Sequence, residues 1–133
     1  MFSTVVKVET GQRLVTDVTR HVVEACQGRG DGLVHAFVPH ATCGLALIET
    51  GSGTERDLAG ILDDVLPPVD RYTHRHGSPG HGRDHVLPAF ISPSLSIPVL
   101  DGRPQLGTWQ SIVIVDSNAD NRVRSLRVSF LAG

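Results

Sequence analysis

Histidines dominate the chemistry available to this chain. It carries seven in 133 residues, and four of them, His74, His76, His81 and His85, fall between positions 74 and 85. Histidine is the commonest metal ligand and the usual proton carrier near neutral pH. His74 and His76 are alternate residues in YTHRH, so an extended chain puts both on one face. His81 and His85 are four apart in GHGRDH, a spacing that shares a helix face, but Gly80 and Gly82 argue against a helix there. None of these spacings is HExxH or a zinc-finger pattern. A fifth histidine, His40, stands in PHATCGLALIE with Thr42, Cys43 and Glu49 close behind. Pro39 ends an apolar run, so His40 projects from a strand end. A lone loop histidine is more often solvated than a ligand. Three neutral imidazoles with an open fourth position would suit zinc or a similar divalent ion and leave a water to activate.

The other reactive groups are weaker candidates. Glu55 and Asp57 sit where a helix should begin, and carboxylates are favoured there by the helix dipole. Glu49 closes the apolar stretch GLALI and is the better functional carboxylate. His21 and His35 are taken as structural. Cys26 lies in a helical pattern and reads as a small buried hydrophobe. GTWQ, residues 107–110, holds the only tryptophan. It reads as a core residue within a strand, with Thr108 and Gln110 sharing a face by period two. There is no GxGxxG, no phosphate loop and no Gly-x-Ser-x-Gly elbow.

The elements that must position these groups fit one domain spanning 1–133. Hydrophobic residues make up 40% and charged residues 20%, as in ordinary soluble domains. The net charge of -2 has no basic block behind it, which argues against nucleic acid or a membrane surface as partner. No apolar run approaches a membrane span, the N-terminus lacks the apolar stretch of a signal peptide, and two cysteines make no disulfide framework. The chain reads as cytoplasmic.

STVVKVE alternates as a first strand. TDVTRHVVEACQGRG is helical, with Thr16 as its cap and Gly28 and Gly30 as its stop. Residues 33–38 and 44–49 read as strands. SGTERDLAGILDDVL is a second helix, capped by Ser52 or Thr54 and ended by Pro67 and Pro68. Residues 69–85 show no period, and a loop that long is usually functional or disordered. VLPAFIS is a short helix or a turn. SLSIPVL is a strand, Asp101-Gly102 a hairpin turn, QLGTWQSIVIVD a long strand and RVRSLRVSFL the last. Five or six strands and two main helices, with an antiparallel meander in the second half, make the class α+β.

PHATCGLALIE, the acidic helix start with Asp57, YTH, the segment HVLPAFISPSLSIPV and DGRPQLGTWQSIVIVD together resemble the YjbQ family, over nearly the whole chain. That family is associated with a secondary thiamine-phosphate synthase activity. The resemblance implies a homotrimer and a site where histidines hold a divalent metal, zinc or magnesium. It places metal ligands at His40, His74 and His85. Glu49, Asp57 and Arg124 take the catalytic positions, and Thr42, Thr108, Trp109 and Gln110 the substrate-binding ones. His76 and His81 fall outside the family pattern, and so does the composition of the long loop. Cys43 stands where many members have serine or alanine.

The expected reaction joins a pyrimidine diphosphate to a thiazole phosphate, with Arg124 and Arg83 facing phosphate oxygens. Two other readings use the same residues. One is a metal-dependent hydrolase of another phosphorylated small molecule. The other is a trimeric metal- or ligand-binding protein without turnover. In the plainest reading, His40 and His85 merely satisfy buried polar groups.

Overall fold

A computed structural model describes residues 1–133. The last strand organises the fold. Residues Val123–Ala132 (β8) alternate strictly, with Arg124, Leu126, Val128 and Phe130 turned inward. Both edges of β8 are used. Phe2–Glu9 (β1) pairs antiparallel along one side and Gly32–Phe37 (β3) along the other. Ser94–Leu100 (β5) adds to β3, and Arg103–Pro104 (β6) adds to β5, giving a five-stranded sheet ordered β1-β8-β3-β5-β6. Asp101 and Gly102 both take positive φ, 49° and 71°, so the expected two-residue hairpin turn between β5 and β6 forms.

A second sheet has three strands, Val15–Asp17 (β2), Ser111–Asp116 (β7) and Cys43–Ile48 (β4), with β7 in the middle. SIVIVD does not alternate because both of its faces are covered. Ile112 and Ile114 enter a core shared with the five-stranded sheet and with helix Thr19–Cys26 (α1). Val113 and Val115 enter a second core with Leu62, Leu66 and Leu87. Leu62 belongs to helix Thr54–Val65 (α2) and Leu87 to helix Gly82–Phe90 (α3). A continuous apolar run is what a strand sandwiched on both sides requires.

The α+β class and the antiparallel pairing are as the sequence implied, with several local differences. The second half is not one continuous meander, because β6 belongs to the large sheet and β7 to the small one. Residues 105–110 must therefore cross between sheets. They form a turn, not the first half of a long strand, with the Gln110 side chain accepting the Gly107 N–H at 2.8 Å. Trp109 is consequently 73% exposed, not a core residue.

Thr16 lies in β2 rather than capping α1, where Asp17 accepts the Thr19 N–H instead. Neither Ser52 nor Thr54 caps α2. Gly53 precedes the helix at φ 96°, and the Glu55 carboxylate reaches back to the Gly51 N–H. A third helix, α3, begins at Gly82 inside the stretch read as a loop. There the glycine is needed for contact: a Cβ would sit 2.3 Å from Tyr72 Cβ and 2.8 Å from the His74 carbonyl oxygen. The YTH segment packs directly against the start of α3.

Candidate functional site

The C-terminal end of β7, the start of β4 and the start of β8 meet around one buried ion pair. Asp116 ends β7 and Arg124 lies near the start of β8, 2% exposed. The guanidinium grips the carboxylate side-on, Nε to Oδ2 at 2.6 Å and Nη2 to Oδ1 at 3.0 Å. Nη2 also donates to Thr42 Oγ1 at 2.8 Å. Burial alone would lower the arginine pKa, but the Asp116 hydrogen bond and charge outweigh it, and the net shift is upward. The group stays charged. Cys43, beside this pair, has its thiol pushed up to about 12 by burial. It cannot serve as a thiolate at neutral pH.

His40 sits in the β3–β4 connection. Its Nε2 accepts the Ser125 backbone N–H at 2.9 Å. Burial first, then the Arg124 charge, lower its pKa, so the ring is neutral.

Across the cleft lie the clustered histidines. His74, His81 and His85 bring one ring nitrogen each to within 4.8 Å of one another. His81 Nε2 and His85 Nε2 stand 2.9 Å apart. His74 Nε2 is buried without any hydrogen-bond partner. Three nitrogens at about 2.0–2.1 Å from a tetrahedral ion would lie roughly 3.3 Å apart, between the observed contact and the observed limit. A buried imidazole nitrogen without a partner, on one of three rings that each bring a nitrogen within 4.8 Å of the others, is a feature that a bound cation would satisfy, so these residues fit a metal.

Two of the rings, those of His74 and His85, are also in the right charge state. Desolvation, then repulsion from the neighbouring imidazoles, lowers the pKa of His74 and of His85. Neutral imidazole is the ligating form. His81 has outer support as well. Its Nδ1 stands 3.2 Å from Asp84 Oδ2 and 3.4 Å from Asp120 Oδ2. A carboxylate on Nδ1–H frees Nε2 for a metal and raises its basicity. Asn118, whose Oδ1 accepts the Asp120 and Asn121 N–H groups, brings its Nδ2 to 3.2 Å from the same Nδ1 as a donor that competes with these carboxylates. Asp84 is itself held by the Ser117 hydroxyl at 2.6 Å. Asp120 accepts both the Ser78 hydroxyl and the Ser78 N–H, which straps the histidine loop to the β7–β8 turn. His76 packs edge-on against His74 with ring centroids 3.8 Å apart and stays exposed.

His40, Thr42, His76, His81, His85, Asn121 and Arg124 line a single polar cleft of about 440 Å³. The residues singled out from sequence thus divide in two. His74 and His85 converge, with His81 as their third member. His40 shares the cleft but stands outside that group, because its Nε2 is committed to Ser125. Thr42 and Arg124 form the floor. Glu49 and His40 do not share a pocket: Glu49 is exposed beyond the far end of β4, about 20 Å along six residues of strand. Asp57 in the first turn of α2, and Thr108, Trp109 and Gln110 before β7, are exposed at that same far end. Ile48 pairs with Ser111 there, and the Thr50 and Ser111 hydroxyls lie 3.3 Å apart. Sequence reasoning missed His81, Asp84 and Asp120. The i, i+4 spacing of His81 and His85 was the available signal, set aside because of the flanking glycines.

A single α+β domain with a histidine cleft at one end of its small sheet defines the class. The chain belongs to the UPF0047 protein YjbQ-like family, whose model matches residues 4–133. It is 53% identical to UPF0047 protein Rv2556c of Mycobacterium tuberculosis over 133 residues, all of both chains. Identity to UPF0047 protein YjbQ of Escherichia coli O157:H7 is 30% over 103 residues, 77% of this chain and 75% of that one. The hypothetical protein APE1520 from Aeropyrum pernix K1 superimposes with a TM-score of 0.90 at 29% identity, covering 100% of both. The conserved hypothetical protein TT1486 from Thermus thermophilus gives 0.80 at 31%, covering 96% of this chain and 99% of that one.

Proposed function

We propose that this protein is a metal-dependent enzyme acting on a phosphorylated small molecule, with thiamine-phosphate synthase-type transfer as the reaction its family resemblance implies. The observation that carries the reading is the convergence of His74, His81 and His85, one of which, His74, also holds a buried, unpartnered Nε2. An all-imidazole set favours zinc or a similar transition ion over magnesium, which prefers oxygen ligands. The ion would supply positive charge for a departing or attacking oxygen.

In the transfer, the thiazole nitrogen attacks the pyrimidine methylene carbon as the C–O bond to pyrophosphate breaks. Pyrophosphate carries the electron pair away. The chain's part is to orient the two halves and stabilise the departing charge. Asp84 and Asp120 hold His81 in register, and Arg124, fixed by Asp116, lines the floor. Thr42 accepts from the same Nη2 that donates to Asp116.

The same reading includes a homotrimer in the cytoplasm. Glu49 and Thr108–Gln110 flank the Ile48–Ser111 end of the small sheet, away from the cleft, and Asp57 lies in the first turn of the helix that follows β4. An assembly that sets this end of one subunit against the histidine cleft of the next would unite both groups of residues in one site. No helix is long and apolar enough to cross a membrane.

The test has three readings on the purified, tag-free protein. Metal content is measured for wild type and for His74→Ala, His81→Ala and His85→Ala. Pyrophosphate release is followed with the two thiamine-phosphate halves. Glu49→Ala and His85→Ala, each inactive alone, are unfolded together and refolded as mixed assemblies. The expected results are near-stoichiometric zinc lost in all three histidine variants, slow pyrophosphate release, and partial recovery of activity on mixing. Protein that cannot be loaded with any divalent ion overturns the metal-centred reading. Loading without turnover on any phosphorylated substrate favours a binding protein.

A further inference from the structure

We infer that His40 and Arg124 form an oxyanion-binding pair, holding a phosphate-type oxygen of the substrate in the cleft through His40 Nδ1–H and Arg124 Nη1. The inference deepens the reading above and rests on it for the identity of the anion as substrate. The state of His40 follows from this chain's hydrogen bonds alone.

A backbone amide can only donate. Since the Ser125 N–H points at His40 Nε2 from 2.9 Å, that nitrogen must be the acceptor. The proton of the neutral ring is then on Nδ1. Nδ1 makes no hydrogen bond within the chain. The buried side-chain atoms without partners are Thr16 Oγ1 and His74 Nε2, so His40 Nδ1 reaches water, and the residue lines the cleft. His40 therefore presents a donor of fixed tautomer, with no lone pair left for a metal. Its depressed pKa, caused by burial and the Arg124 charge, keeps it neutral rather than cationic.

Arg124 is committed on one side only. Nε and Nη2 are spent on Asp116 and Thr42, while Nη1 has no partner and is not among the buried unpaired atoms. Arg124 lines the same cleft as His40. One neutral N–H and one guanidinium edge, both immobilised from behind, are a preorganised seat for an oxyanion.

Charge explains why the seat should hold an anion more tightly beside an ion. Asp116 cancels Arg124, and Arg83 is committed to Asp63 at 2.7 Å. Asp84 and Asp120 then leave the histidine side of the cleft negative. A divalent cation on the histidines reverses that sign. Phosphate and metal should therefore bind cooperatively, each raising the affinity for the other by the same factor.

Two substitutions separate the ring's two nitrogens. His40→Gln can place an amide oxygen near Nε2 and keep the Ser125 contact while removing the Nδ1–H. His40→Asn places an amide N–H near Nδ1 and abandons Ser125. Nitrogen-15 NMR of the metal-free protein at neutral pH, with His40→Gln as the assignment control, should show Nδ1 protonated and Nε2 bare. Titration of zinc-loaded protein with inorganic phosphate should show binding weakened about tenfold or more in His40→Gln, the worth of one hydrogen bond to a charged group. His40→Asn should bind phosphate within about threefold of wild type while losing thermal stability.

A proton on Nε2, or His40→Gln binding phosphate as wild type does, overturns the pair. Failure of zinc to bind at all would instead sink the metal reading. Phosphate would then have to bind through the pair alone, and metal-free protein showing no His40→Gln-sensitive binding would overturn this proposal too.

Discussion

Two carboxylates compete for one proton on His81, and removing them should loosen the metal in a particular pattern. Asp84 Oδ2 and Asp120 Oδ2 lie 3.2 and 3.4 Å from Nδ1, but a single N–H can serve only one fully. Loss of an outer partner of a ligating histidine costs 10–100-fold in affinity, or about 1.4–2.7 kcal/mol. Because each carboxylate can cover for the other, Asp84→Asn and Asp120→Asn should each fall near the lower end, about tenfold. The double variant should fall near 100-fold or beyond, with a non-zero coupling between the two sites. Asparagine keeps the shape of both side chains and leaves one oxygen on each to accept the Ser117 and Ser78 hydroxyls, with only the exposed Ser78 N–H contact given up, so the fold should hold. Zinc affinity is read by competition with a chromophoric chelator, and ligand geometry by the visible spectrum of the cobalt-substituted protein. A double variant that binds zinc within twofold of wild type would refute the assignment of His81 as a ligand oriented through Nδ1.

Other consequences follow from the same contacts. Asp116→Ala strands the buried Arg124 charge and should destabilise the fold by about 3–5 kcal/mol in urea unfolding, far more than a surface aspartate would. Gly82→Ala drives a methyl group into Tyr72 and the His74 carbonyl. It should cost about 1–3 kcal/mol and weaken zinc binding together, because the displaced segment carries a ligand. His40, His74 and His85 all have folded pKa values below the ordinary 6.5, so the unfolded chain takes up protons first as pH falls. Their stabilising contribution is complete above about pH 6.5 and is lost progressively below it. The melting temperature of the metal-free protein should drop through that window, and His85→Gln should flatten the drop. Trp109→Ala touches no core and should change subunit stability by less than about 0.5 kcal/mol in urea unfolding. Acrylamide should quench Trp109 freely in isolated subunits, and protection that appears with rising protein concentration would place this loop at an interface.

Much of the fold was legible because burial writes itself into period. VRSLRVSF alternates, and its strand is buried on one face; SIVIVD does not, and its strand is buried on two. Helix ends were harder to read. Thr16, Ser52 and Thr54 are good capping residues, yet Asp17 accepts the Thr19 N–H at the start of α1, and α2 starts after Gly53 without a side-chain cap. The TWQ segment misled for a topological reason. Strand-like residue types run from Gln105 to Asp116, but only the change of sheet between Pro104 and Ser111 decides that half of them must turn.

The site was half legible for a reason that concerns distance along the chain. His81 is paired by the start of α3 with His85, by the β7–β8 turn with Asn118 and Asp120, and by the YTH segment with His74. Sequence spacing could supply only the first of these relations. There the helix argument was rejected on propensity, which costs about 1 kcal/mol per glycine. Tertiary packing overrode it, since Gly82 is the only residue type that lets Tyr72 and His74 approach the helix start so closely. The glycines that weakened the case for a helix are what make the histidine cluster geometrically attainable. His40 illustrates the converse. Its residue type and strand-end position suggested a ligand, but one backbone amide, 85 positions away in sequence, takes the lone pair that a metal would need. Which histidines can ligate is thus decided by what occupies each ring's other nitrogen: a carboxylate behind His81 frees its Nε2, whereas an amide in front of His40 fixes it as a donor.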